Sequence, residues 1–361
     1  MTPPAVLHID TGRLFRGGQR QLYLLSERLH AMGVTQAVVV SHGSELAARK
    51  DNIPTIEISA SVAFRIFRLS RLKETIVSDK INIVHAHDSH AHTLGLLLKR
   101  WRPDLKLIVA RRVVFPPKSV ASRKLKYGKG VDCFIAISRA VQSSLIAAGV
   151  SSDRIEIIPS GIDFGEVNSA GADTAFVSSR LPGCSFVIIS AGALTEEKDM
   201  ATAIRAFAIV AKESPDAGMI IFGEGPERLK LERLKENLGL DRLVLAGHRE
   251  GLAPIYKACH VFLLTSTSEG LNTSAIEAAA CGLPLVVSDV GGLPEIAEDQ
   301  NNSLLCPPGN PERFAAAIVE LSGDNSRRER MAARSVEKAA AFDIAATAEK
   351  TMEVYERVLA G

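Results

Sequence analysis

Short apolar runs rich in Val, Ile and Leu alternate with amphipathic helical patterns along almost the whole chain, and this alternation restricts the fold more than any other feature. A run lacking polar alternate positions must be covered on both faces, which parallel sheets achieve by carrying helices on each side as βα units. Strands are predicted over residues 5–9, 35–40, 55–58, 81–85, 106–110, 131–137 and 154–158, with helices between them such as 19–32 and 138–148. The form then repeats, with strands predicted over 186–191, 218–222, 243–246, 261–264, 285–288 and 303–306. Residues 161–183 hold Gly, Asp, Asn, Ser and Pro with few periodic apolar positions and read as a linker. The expected division is 1–165, 166–340 and a C-terminal helix over 341–361 that crosses back to the first domain, within an almost continuously helical tail over 312–360. Open α/β sheets bind ligands at the carboxyl ends of their strands, so two such domains are expected to face a central cleft.

Composition agrees with this class. At 361 residues, 46% hydrophobic and 23% charged, the chain is excluded from disordered, collagenous and coiled-coil classes. Its formal charge of +2 conceals an asymmetry: residues 1–165 carry 24 Lys and Arg against 13 Asp and Glu, whereas residues 166–361 carry 19 against 28. Five scattered cysteines without a C-x-x-C pair fit a reducing compartment and no zinc site. No apolar run is long enough to span a bilayer, and residues 1–10 lack the order of a signal peptide, so a cytoplasmic protein is expected.

Several strand ends carry polar or glycine-rich loops. Gly12, Gly17 and Gly18 follow the first strand and open a helix, where backbone N–H groups can approach a phosphate; their spacing is not the G-x-G-x-x-G of dinucleotide-binding folds. His85, His87, His90 and His92 cluster at the end of the fourth strand, with His85 and His87 on one face. A zinc site would need a third ligand that this spacing does not supply, so contact with a sugar hydroxyl or a proton-handling role is favoured, and a plain strand-end cluster stays open.

In the second half, Gly192 to Asp199 follows a strand and places Lys198 where a diphosphate could lie, and Gly223-Glu-Gly225 ends the next strand. Glu269, Gly270, Leu271, Asn272, Thr273 and Glu277 then follow a buried strand and enter a helix whose first amides suit an anion. Two carboxylates beside an anion-binding helix start are useful as acceptors for hydroxyl groups. The pattern therefore suits a ligand with a diphosphate between polyhydroxyl ends, a nucleotide sugar, although Glu277 alone also reads as ordinary complementation of a helix dipole.

At these residues the chain resembles the retaining glycosyltransferases of family 4, whose GT-B fold has two facing Rossmann-like domains. The resemblance rests on the Gly17-Gly18-Gln19 loop, His85-Ala-His87, Ile137-Ser138, Ile158 to Asp163, the Lys198 loop, Gly223-Glu-Gly225, and the E-x7-E pair Glu269 and Glu277 followed by Gly291-Gly292. It implies an N-terminal acceptor-side domain and a C-terminal donor-nucleotide domain. By the same resemblance, His87, Lys198 and Glu269 are catalytic: Lys198 neutralises the leaving phosphate, Glu269 holds sugar hydroxyls, and His87 contacts the transferred sugar or the acceptor. Gly192, Gly223, Gly225, the amides from Gly270 to Thr273, and Glu277 at the ribose would hold the donor, with Gly17 and Gly18 lining its phosphates. Two departures stand out: Ala193 replaces an arginine of the common pattern, and Leu271-Asn272 replaces Phe-Gly. Arg13 or Arg16 is expected to supply the missing cation.

The resemblance implies no cofactor beyond the nucleotide-diphosphate sugar as co-substrate, and no D-x-D signals a metal. Retention by front-face attack would need leaving-group stabilisation, so Glu269 is not assigned as a nucleophile. The eight cations over 105–131, Lys106, Arg111, Arg112, Lys118, Arg123, Lys124, Lys126 and Lys129, and the Phe64, Arg65, Phe67, Arg68 and Arg71 mixture suggest an anionic membrane surface or phosphorylated acceptor, with no nucleic-acid module. The expected activity is transfer to a saccharide or lipid-linked acceptor in lipopolysaccharide-type envelope synthesis, by a cytoplasmic or peripheral protein. A nucleotide-sugar 2-epimerase and a non-catalytic sugar-nucleotide-binding subunit are the alternatives. The 247–249 loop is expected to meet the base.

Overall fold

The computed structural model describes residues 2–49, 53–58, 65–114, 126–128 and 130–361 and divides into two units, Met1–Gly161 with Ile344–Gly361, and Ile162–Asp343. Phe64, Lys118, Arg123, Lys124 and Lys129 of the basic stretches lie outside the described residues, as do the side chains of Arg65, Phe67, Arg68 and Arg71.

The first unit contains a seven-stranded parallel sheet of β1 (Ala5–Asp10), β2 (Thr35–Ser41), β3 (Thr55–Ile58), β4 (Ile83–Ala86), β5 (Lys106–Arg111), β6 (Cys133–Ala136) and β7 (Ile155–Ile157), in the order β3-β2-β1-β4-β5-β6-β7. β1 and β4 pair directly, with His8 opposite His85. Strand order therefore reverses between them, and their connections leave toward opposite sides, which opens a crevice at their carboxyl ends. Six of β1's six residues are buried, as its unbroken apolar pattern requires.

The C-terminal helix Ile344–Ala360 belongs to this unit and packs Ile344, Ala348, Val354 and Tyr355 into a core with Val6, Leu25, Ile83 and Ile108. Gly161 permits the close approach: a Cβ there would lie 2.6 Å from the Ile344 Cα and 2.8 Å from its nitrogen. Thr347 Oγ1 also donates to the Pro159 carbonyl at 3.1 Å.

The second unit has a six-stranded parallel sheet of β8 (Phe186–Ala191), β9 (Ala217–Phe222), β10 (Leu243–Gly247), β11 (Val261–Leu264), β12 (Leu285–Ser288) and β13 (Ser303–Cys306), ordered β10-β9-β8-β11-β12-β13. Here the reversal falls between β8 and β11. Residues 162–183 are not an open linker: they include the helices Phe164–Ser169 and Thr174–Arg180, capped by Asp163 and Asp173, which bury Val167 and Val177. Single apolar contacts on such short helices produce too little periodicity to read in sequence. The helical tail is divided into Pro311–Gly323, Asn325–Ala340 and Ile344–Ala360.

Gly161→Ala should lower the stability of the first unit by about 1–3 kcal/mol through backbone overpacking. Denaturant unfolding monitored by the fluorescence of Trp101, the single tryptophan, which lies in the first unit, checks this against wild type, and an unchanged midpoint would show that the helix can withdraw without cost.

Candidate active site

In the second unit, the loops after β8, β9, β11 and β12 are tied to one another through their backbones. Leu194 N donates to the Glu224 carbonyl at 3.0 Å, Glu227 N to the Leu194 carbonyl at 3.0 Å, and Thr267 N to the Glu197 carbonyl at 2.9 Å. The Thr265 hydroxyl donates to the Asp199 carbonyl at 2.8 Å. Asp199 has φ +44° and caps the helix Met200–Glu213 through Thr202. Glycine is required where these loops touch: a Cβ on Gly223 would lie 1.8 Å from the Gly192 carbonyl oxygen, and one on Gly291 1.9 Å from that of Glu269. Gly225 similarly faces the Leu194 carbonyl at 2.3 Å. These glycines are accounted for by loop packing, whatever they also allow a ligand to do.

This tethering brings Lys198 and Glu269 together. Glu269 is buried, and its Oε1 accepts from Lys198 Nζ at 2.5 Å, Ser266 Oγ at 2.7 Å and Asn272 Nδ2 at 3.0 Å. Lys198 is one-fifth exposed, so the pair combines a desolvated carboxylate with an accessible ammonium. Asn272 explains one sequence departure: its Oδ1 caps the helix Thr273–Ala280 by accepting from Ala275 N at 2.9 Å while its Nδ2 holds Glu269. Leu271 and Gly270 are buried beside it, and Glu277 is buried on the fifth residue of the same helix. Gly192 follows β8 with room to spare, a Cβ meeting Met200 Cε at 3.5 Å. In the 247–249 loop, Gly247 has φ +78° and the Arg249 guanidinium lies 4.7 Å over the Phe176 ring.

In the first unit, the loops after β1 and β4 are also joined. Asp88 caps the helix Ser89–Trp101 through the His90 and Ala91 amides and accepts from both the amide and the hydroxyl of Thr11. Asp10 Oδ1 accepts from Gly12 N at 2.8 Å and Gln19 Nε2 at 2.9 Å, and burial raises its carboxyl above the usual range. Gly17 and Gly18 open the helix Gly17–Ala31, whose first turn contains no acid. Arg13 and Arg16 are exposed.

The histidines separate. His90 is exposed, and His92 is buried between the rings of Tyr127 and Phe134, so neither joins the others. His8 from β1 completes a buried trio with His85 and His87 whose ligand atoms lie within 4.8 Å of one another. The pairing register of β1 and β4 supplies this third imidazole, which spacing along one segment could not show. His8 Nδ1 lies 3.0 Å from His87 Nε2, His85 Nδ1 lies 2.7 Å from the Tyr355 hydroxyl, and Arg112 Nη2 reaches His87 Nδ1 at 2.9 Å. In sequence Arg112 is one cation of a basic stretch, and its place just past β5 is the signal that it shares the sheet edge with His87.

The donor chemistry of the trio does not fit a cation. Arg112 must donate, so His87 Nδ1 is the acceptor and its proton resides on Nε2; a metal would require the lone pair of that same Nε2. Burial holds all three imidazoles neutral, pushing His8 down to about 3 and His85 and His87 well below the ordinary range, with Arg112 adding to the effect.

Residues 15–166 match the model for Glycosyltransferase Family 4, and residues 172–338 match Glycosyl transferases group 1. The chain is 30% identical to a D-inositol 3-phosphate glycosyltransferase of Segniliparus rotundus, over 91% of this chain and 76% of that one. It is 26% identical to the lipopolysaccharide core biosynthesis glycosyltransferase LpsD of Rhizobium meliloti, over 91% of each. The crystal structure of Anabaena HepE in complex with UDP-glucose superposes with a TM-score of 0.87 at 19% identity, covering 98% of this chain and 99% of that one.

A buried imidazole that is neutral when folded binds a proton more readily when unfolded, so the unfolded state gains protons as pH falls below about 6.5. Stability contributed by the trio is thus complete above that pH and declines progressively toward the folded value, about 3 for His8. Thermal unfolding from about pH 7.5 to about pH 5 should show a steeper loss for wild type than for His8→Gln. Parallel profiles would contradict the assignment.

Proposed function

The chain belongs to the family 4 glycosyltransferases, has the GT-B fold of two Rossmann-like parallel-sheet domains and is an enzyme that transfers glycosyl groups, and from that premise we propose a nucleotide-sugar-dependent, retaining transferase of envelope glycan synthesis. The donor would be a nucleoside diphosphate sugar and the acceptor a saccharide or lipid-linked saccharide. The observation that carries the reading is the Lys198–Glu269 pair at the β8/β11 reversal.

Each group suits one part of such a donor. An arriving phosphate can take the Lys198 ammonium, leaving Glu269 Oε1 supported by Ser266 and Asn272. Glu269 then accepts from sugar hydroxyls, and the helix start from Gly270 to Thr273 meets the diphosphate with its free amides and positive dipole end. Glu277 accepts from ribose hydroxyls. As the bond from the anomeric carbon to the phosphate oxygen breaks, charge grows on the diphosphate, where Lys198 and the helix N-terminus stabilise it. The acceptor hydroxyl attacks from the same face and passes its proton to the departing phosphate oxygen. No carboxylate nucleophile is required.

Support for an envelope acceptor comes from the name of the Rhizobium relative and from the excess of cations in residues 1–165. Among the described residues no helix is long and apolar enough to cross a membrane; the attachment we propose is peripheral, through those cations, at the inner face of the cytoplasmic membrane.

A thermal-shift panel of UDP-, GDP-, ADP- and CMP-sugars tests the donor, because a ligand that binds only the folded chain raises its midpoint. One nucleotide series should stabilise wild type, with the shift abolished in Lys198→Ala; the responding donor should then be hydrolysed slowly without acceptor. Binding without transfer or hydrolysis would instead identify a non-catalytic subunit.

A further inference from the structure

Arg112 is half-buried, yet among the described residues only one of its five donors has a protein partner, Nη2 on His87 Nδ1, and its buried Nε has none there. Burial pushes its pKa down to about 10, opposed by Asp10, so it stays charged at neutral pH. An under-satisfied guanidinium at a sheet edge is costly unless an oxyanion completes it.

We propose that Arg112 is the residue through which the first unit grips a phosphate group of a substrate, and that His87 and His8 form a one-way imidazole pair that holds the guanidinium in position. His87 is then a positioning residue. Its two ring nitrogens are both engaged by protein, Nδ1 accepting from Arg112 and Nε2–H donating to His8 Nδ1, which leaves it no group for a sugar. Gln36 is the polar neighbour that favours a charged His8, and its amide is anchored by donation to the Ser26 carbonyl at 2.7 Å.

The surroundings favour an anion. A Cβ on Gly18 would lie 3.7 Å from Arg112 Cδ, so the first turn of the helix Gly17–Ala31 runs beside the guanidinium, adding its positive dipole end. The two nearby acids are already occupied: Asp88 by Thr11 and its helix start, and Asp10 by Gly12 and Gln19. A phosphate presents two oxygens at the spacing of the guanidinium fork, which a lysine cannot match. The phosphate could belong to the donor or to a phosphorylated acceptor. The role in turnover rests on the transferase reading, whereas phosphate binding does not.

Calorimetric titration of the full chain with UDP, inorganic phosphate and glucose 6-phosphate tests the proposal. Arg112→Ala should weaken at least one probe by about tenfold or more, with Arg112→Lys only partly restoring it. Loss confined to UDP assigns the donor phosphate; loss confined to the other two assigns the acceptor. His87→Gln should retain affinity, because its amide can accept from Arg112 and donate to His8, while His87→Leu should behave like Arg112→Ala. In wild type, ¹⁵N shifts should place the His87 proton on Nε2, and Arg112→Ala should redistribute it. Wild-type affinity for all three probes in Arg112→Ala, or no binding of any probe to wild type, overturns the phosphate site; equal behaviour of the two His87 variants overturns the positioning role. Absence of any nucleotide-sugar binding alongside intact phosphate binding would fail the transferase reading and spare this one.

Discussion

Direct parallel pairing of β8 with β11, and of β1 with β4, is the constraint on which both sites depend. Each pairing reverses strand order, so the loops after the two strands part and leave their polar ends uncovered. In the second unit each parted loop is held to the loop of its outer neighbour by backbone contacts too close for any residue but glycine, the one after β8 by Gly223 and the one after β11 by Gly291. Such contacts fix the backbone before any ligand arrives. That rigidity is what a site for developing charge needs, since donors that must reorganise contribute less to stabilising it.

The same reversal has a different outcome in each unit. Between β8 and β11 it brings an ammonium to a buried carboxylate, a pair that ligand hydroxyls and phosphates can share. Between β1 and β4 it sets the His8 ring beside those of His85 and His87, with centroids 5.5 and 5.3 Å away, and delivers their order to a single guanidinium. Net charge predicts neither. The acidic half carries its cation at one loop and one helix start, while the basic half buries three neutral histidines beneath a charged arginine.

The fold was legible because parallel strands buried on both faces leave continuous apolar runs; residues 186–191 and 261–264 coincide with β8 and β11. Pairing order and register were not, because they are decided by contacts between distant segments. His8 shows the consequence: nothing near it in sequence links it to His87, yet β1 pairs with β4 and their rings meet. Glu269, Lys198 and the helix start were readable from loop position and residue type, but not the second role of Asn272, whose side chain serves cap and carboxylate together. The short helices of residues 164–180 were hidden by weak periodicity among turn-forming residues.

The central claim is that the diphosphate of a nucleotide sugar rests on the loop and helix start that follow β11. Backbone amide NMR of the full chain during titration with the nucleoside diphosphate that it binds tests this most directly. The largest shift changes are expected at residues 270–274, together with the Lys198 loop. Saturation with those amides unmoved and the changes confined to the first unit would contradict it.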